Sequence, residues 1–150
     1  MKCLPFWFAF TAFWLSGCEK YALDRQMEEL CQKDGGIRVY ETVKLPASMF
    51  DQNGDPFPDW RKRSVENRLG PSYRFVREET YLKQGNPVNG EGQLLRLSWK
   101  IIRKSDEKLL GEAVRYGRSG GDFILLGHFS SKGCPPQLGD ATVINTVFIK

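Results

Sequence analysis

The sequence predicts an α+β fold, with an N-terminal helix packed on an antiparallel β-sheet of about four to five strands. Three observations point there. A segment near the start repeats its apolar residues at helical spacing. Three consecutive strand-like runs later in the chain are joined by short turns, as in a meander. After residue 17 the chain keeps one domain's worth of length, enough for a real core and too little for a second large domain. Six strand-like runs would also suffice to curl into a small β-barrel, the competing arrangement.

The helix is expected over residues 21–34. Leu23, Met27, Leu30 and Cys31 fall at i, i+4, i+7 and i+8 and make one apolar stripe. Asp24, Arg25, Glu28, Glu29, Gln32 and Lys33 lie elsewhere on the wheel, and Gly35-Gly36 supplies the residue that commonly ends a helix. Ile37 to Leu45 alternates as a strand, with Ile37, Val39, Val43 and Leu45 on one face and Glu41 among them. Pro46 ends it. Residues 46–72 hold four prolines and the turn Asn53-Gly54. A loop of this length is either functional or loosely ordered. A helical turn from Trp60 through Leu69 is compatible with its pattern.

The meander follows. Tyr73 to Lys83 is rich in aromatic and β-branched residues. Gln93 to Lys104 alternates, with Leu95, Leu97, Trp99 and Ile101 on one face, and Leu109 to Tyr116 follows the turn at Ser105-Asp106-Glu107. Phe123 to Phe129 reads as a buried strand, and Thr142 to Ile149 as a last strand or a loosely docked tail.

Residues 1–18 carry the most specific signal. Lys2 gives a basic start. Leu4 to Leu15 is apolar apart from Thr11 and holds six aromatics, and Ser16 and Gly17 are small. Charge at Lys2 and Glu19 bounds a run shorter than the roughly 20 apolar residues of a membrane span. Leu15-Ser16-Gly17-Cys18 resembles the lipobox of bacterial lipoprotein signal peptides: an aliphatic residue, two small residues, then cysteine. The resemblance implies a signal peptide over residues 1–17, cleavage between Gly17 and Cys18, diacylglyceryl on the Cys18 sulfur and, often, a palmitate-type acyl chain on its amine. Residues 18–150 would then be a single periplasmic domain anchored to the lipid bilayer through Cys18. Glu19 stands where Asp retains enteric lipoproteins in the inner membrane, which favours the outer membrane. An ordinary secretory signal and an uncleaved anchor are the alternatives. With only a few residues between Cys18 and the helix, the tether would be little more than about 10 Å.

The formal charge of +4 falls to +3 once Lys2, the only charge in residues 1–17, is removed. That suits weak attraction to anionic headgroups and is too small to argue for nucleic acid. Cys3 leaves with the signal and Cys18 takes lipid, so Cys31 and Cys134 remain as a pair in an oxidising compartment. A disulfide between them is expected, two buried thiols being the alternative.

Several motifs stop short of chemistry. Gly117-Arg118-Ser119-Gly120-Gly121 matches G-x-S-x-G, but a nucleophile elbow needs a following helix and a base. The run from Phe123 is strand-like and contains the only histidine, His128. Asp51, Asn53 and Asp55 start like a calcium loop, but Pro56 and Lys62 occupy its Gly and Glu positions. One histidine gives no metal cluster, and no cofactor is expected. Glu41, on an apolar strand face, is either an unusual carboxyl or an ion-paired one. Trp60, Arg61, Lys62 and Arg63 form the only compact basic stretch, a possible contact surface or a solvated loop.

The expectation is thus a non-enzymatic binding or structural module of the bacterial envelope, with an envelope protein or glycan as partner. The alternatives are a periplasmic inhibitor or accessory factor of a cell-wall hydrolase, acting through a surface loop, and a cell-wall-modifying enzyme.

Overall fold

The computed structural model describes residues 16–122 and 128–150, the first three by backbone alone. It is an α+β fold whose sheet is open, not closed into a barrel. The helix, α1, spans Ser16–Asp34. It starts five residues before the expected position and already includes Cys18, so the extended tether expected from the sequence is replaced by helix. Leu23, Met27 and Cys31 are its buried stripe, and the Gly35 N–H closes its end on the Cys31 carbonyl at 2.8 Å.

Among the described residues seven strands follow: β1 (Gly36–Val39), β2 (Val43–Lys44), β3 (Tyr73–Lys83), β4 (Gln93–Arg103), β5 (Lys108–Ser119), β6 (Ser131–Cys134) and β7 (Phe148–Ile149). The expected strand over 37–45 is broken in two. Its first half pairs with β5 and its second forms a parallel pair with β7. The meander β3–β4–β5 is antiparallel throughout, in the order the turns dictate. One edge of β5 is shared end to end. β1 covers residues 111–114, and β6 covers 116–119. The Cys31–Cys134 disulfide sits at that junction, with Cα atoms 5.9 Å apart.

The two sheet faces pack against different elements. Leu94, Val114 and Tyr116 face α1. On the other face, Phe75, Trp99, Ile101, Leu110 and Ala113 meet a second helix, α2 (Asp140–Val147), and the proline-rich segment. The C-terminal stretch expected as strand or tail is therefore mostly helix. Val143, Ile144 and Val147 lie at i, i+1 and i+4, all buried, and that burial outweighs the strand preference of β-branched residues. Gly111 lets α2 approach, since a Cβ there would meet a Val147 methyl at 2.5 Å.

Residues 46–72 are ordered by what they bury. Phe57, Trp60 and Leu69 belong to the main core, and the rings of Phe57, Tyr73 and Phe148 meet edge to face with centroids 4.8–6.1 Å apart. Short 3-10 turns at Trp60–Lys62 and Val65–Asn67 give the helical turns the sequence allowed. The run Phe123–Phe129 falls mostly on residues 123–127, outside the described residues. His128 and Phe129 are exposed and not in a strand.

Candidate functional site

The strands β4 and β5 alternate their side chains between two faces. On the face away from α1, the lower half is roofed by α2, and no described element roofs the upper half. There Leu97 pairs with Arg115, and Gly117 and Ser119 pair with Gly133 and Ser131 across to β6. These residues line an open groove of about 300 Å³. Arg115 is its distinctive group. A Cβ on Gly133 would come within 2.4 Å of the Arg115 guanidinium, so glycine is what allows that side chain to lie flat across β6. The guanidinium donates to the Leu138 carbonyl at 3.4 Å, a long bond, and has no carboxylate partner among the described residues. A half-buried guanidinium with unused donors is suited to a carboxylate or phosphate, which it can grip in fork geometry.

On the opposite face the charged groups are spoken for. Arg118, 2% exposed, forms an ion pair with Asp24 of α1 at 2.8 Å and donates to the carbonyls of Gly120 and Ser130. Asp122 accepts from Lys20 and from the Ser130 N–H and hydroxyl. Burial pushes its carboxyl up, but those donors more than offset it and hold it at about 2. At the other end of α1, Asp34 accepts from Arg96, Arg38 and the Tyr116 hydroxyl. Burial raises its pKa and these three donors pull it below the usual range. Both clusters lock α1 to the sheet. Sequence reading missed them because the pairings that join α1 to β4, β5 and Asp122 span 60 or more residues and leave no local signal; of the α1 partners only Arg38, four residues from Asp34, lies close in sequence.

The sequence-predicted candidates are scattered. Trp60 is 2% exposed and fills the core instead of presenting an aromatic surface. Arg61 lies over its ring at 4.5 Å and pairs with Asp55, Lys62 pairs with Asp59, and Arg63 donates to the Pro58 carbonyl. Arg61, Lys62 and Arg63 remain exposed. Cys31 and Cys134 are brought together as the disulfide, and Cys18 lies in the first turn of α1. Glu41 is held by Lys108 and Arg103, which lower its pKa, so it is the ion-paired carboxyl and not the unusual one. Asp51 accepts from the Asn53 and Asp55 N–H groups, a surface turn. β5 runs through Ser119 into Gly120 and Gly121 with no helix among the described residues that follow directly, so the strand–turn–helix of an elbow is not formed there. Among the described residues no three His, Cys, Asp or Glu side chains gather as a metal group, and no helix is long and apolar enough to cross a membrane.

The chain matches no protein-family model, and no curated protein or solved structure is significantly similar to it.

Proposed function

We propose that the protein is a bacterial lipoprotein, anchored through Cys18 and facing the periplasm, that acts as a non-enzymatic binding module for another envelope component. The lipobox-like Leu15-Ser16-Gly17-Cys18 after an apolar run supports the anchor. The observation that carries the binding role is Arg115, with spare donors in an open groove. The ligand class it suits is a carboxylate-bearing chain, protein or glycan, lying across β4, β5 and β6.

Intact mass of the membrane-fraction protein tests the anchor. The chain should begin at Cys18 and carry lipid, and Cys18→Ala should accumulate as precursor; normal processing of that variant would refute the lipobox reading. Cross-linking in intact cells tests the groove. Arg115→Ala should lose the captured partner while Arg74→Ala keeps it, and equal capture by both would end the groove's role.

A second reading, an inhibitor of a cell-wall hydrolase, draws on the exposed Arg61–Arg63 stretch, since glycosidase clefts carry paired carboxylates. It requires stoichiometric inhibition of a lysozyme-like enzyme that disappears when Arg61, Lys62 and Arg63 are changed together to serine.

A further inference from the structure

We infer that the end of the domain bearing Cys18 is itself a bilayer-contact surface, with Tyr21, Val88 and Phe129 resting in the headgroup–acyl boundary. This rests on the anchoring proposed above and adds a second, noncovalent hold on the same membrane.

Three segments converge at this end. The Gly92 N–H donates to Glu19 at 3.2 Å, joining the β3–β4 turn to the start of α1. The Gly121 N–H donates to the Gly90 carbonyl at 3.1 Å, bringing in the end of β5. Lys20 reaches Asp122 at 2.7 Å, and Asp122 in turn accepts from the Ser130 N–H at 2.6 Å. Tyr21 and Phe129 adjoin Lys20 and Ser130 in sequence, Val88 lies two residues before Gly90, and the three are 75%, 49% and 70% exposed respectively. Tyr81 and Leu82, at the adjoining end of β3, are exposed as well. Five of the nine exposed large hydrophobic residues among the described ones thus gather at one end.

The position of Cys18 says what covers them. Cys18 and Tyr21 share one helix, and three residues of helix advance only about 4.5 Å. The interfacial layer of one leaflet is roughly 5–7 Å deep. With the Cys18 sulfur joined to diacylglycerol by a thioether at the boundary, the first turn of α1 holds Tyr21 within reach of that layer. Tyrosine suits it, having an apolar ring and a polar tip. The lysines at this end are paired within the domain, Lys83 with Glu19 and Lys20 with Asp122, and Glu91 accepts from the Asn86 N–H. The contact is therefore apolar, and zwitterionic lipid suffices. The basic Arg61–Arg63 stretch is elsewhere. Arg61 stacks on Trp60, and Arg68 lies over both Trp60 and Phe75, which puts the stretch at the Phe75 end of β3, about 25 Å from Lys83.

Tryptophan fluorescence tests this on the lipidated full chain. Only Trp60 and Trp99 follow Cys18, and both are buried. Phe129→Trp and, separately, Val88→Trp are reconstituted into phosphatidylcholine vesicles with and without bromine on the acyl chains. Each new indole should lose roughly half its emission to bromine, as a side chain seated at the acyl boundary must. The unaltered protein and Val65→Trp, on the distant loop, should lose little. Proteins that float with the vesicles yet show no bromine quenching at either new position overturn the contact surface while leaving the anchor intact. Equal quenching of Val65→Trp overturns the orientation. Failure to float at all overturns the anchoring, and this inference with it.

Discussion

Replacing Arg118 with methionine should loosen α1 from the sheet without leaving a hole. Methionine keeps most of the apolar stem and deletes the guanidinium, which is 3% exposed as a side chain. Three sets of partners are then stranded: the Asp24 carboxylate at 2.8 Å, the Ser130 carbonyl at 2.8 Å and the Gly120 carbonyl at 3.1 Å. Breaking a buried pair from one side costs about 3–5 kcal/mol. Asp24 keeps some contact with water, its side chain being 18% exposed, which places the loss near the lower end, about 3 kcal/mol. For a domain of this size that is a fall in Tm of about 10 °C. Urea melts of the oxidised protein should show the shifted midpoint with an unchanged slope. Pairing Arg118→Met with Asp24→Leu should recover much of the loss, because replacing both members of a buried pair is often near neutral. A single variant that loses less than about 1 kcal/mol, or a double variant worse than the sum of its parts, would refute the view that this pair latches the helix.

Reduction and alkylation of Cys31 and Cys134 should lower stability by up to about 4–5 kcal/mol in the chain-entropy picture, the residues being 103 apart. Non-reducing peptide mapping should show the linked pair, and two alkylatable thiols in oxidised protein would contradict it. Trp60→Ala should cost about 3–5 kcal/mol in denaturant melts, whereas changing Arg61, Lys62 and Arg63 together to serine should leave the midpoint nearly unchanged, since those side chains are exposed. Asp122 has a folded pKa of about 2 against an ordinary 3.8. Its contribution is therefore fully present above the ordinary value and is lost as the pH falls through the folded one. Stability measured from pH 5 to pH 2 should drop less steeply in Asp122→Asn than in the unaltered protein, and parallel curves would show that this carboxyl does not stabilise the fold.

The meander was legible because its signals are local. Aromatic and β-branched residues in 73–83, alternation in the run from Gln93 and the turn residues between them specify strand, turn and neighbour at once. The α1 stripe was legible for the same reason, although its start was not, since the apolar run before Cys18 masks the boundary. What escaped depends on partners far along the chain. The α2 residues look like strand until Trp99, Ala113 and Phe148 supply a surface that favours a helix. Ser131–Cys134 has no apolar alternation and becomes a strand only by backbone pairing with β5. Trp60 stood beside three basic residues and read as surface, but its ring is sealed by Arg61, Arg68 and the core. The groove follows from α2 roofing half a sheet face, a length relation no sequence window contains.

The shared edge of β5 has a consequence for the order of assembly. Its two occupants come from opposite ends of the chain, β1 from residues 36–39 and β6 from 131–134. The β3–β4 and β4–β5 hairpins can close as soon as they are made, since their contacts are local. The seam cannot be finished until nearly the whole chain is present, and such distant closures slow folding. Until then β5 offers a bare edge and α1 has no complete surface to lie on. A chain threaded through a membrane N-terminus first would hold that edge open throughout transit and complete the fold only with the arrival of Cys134.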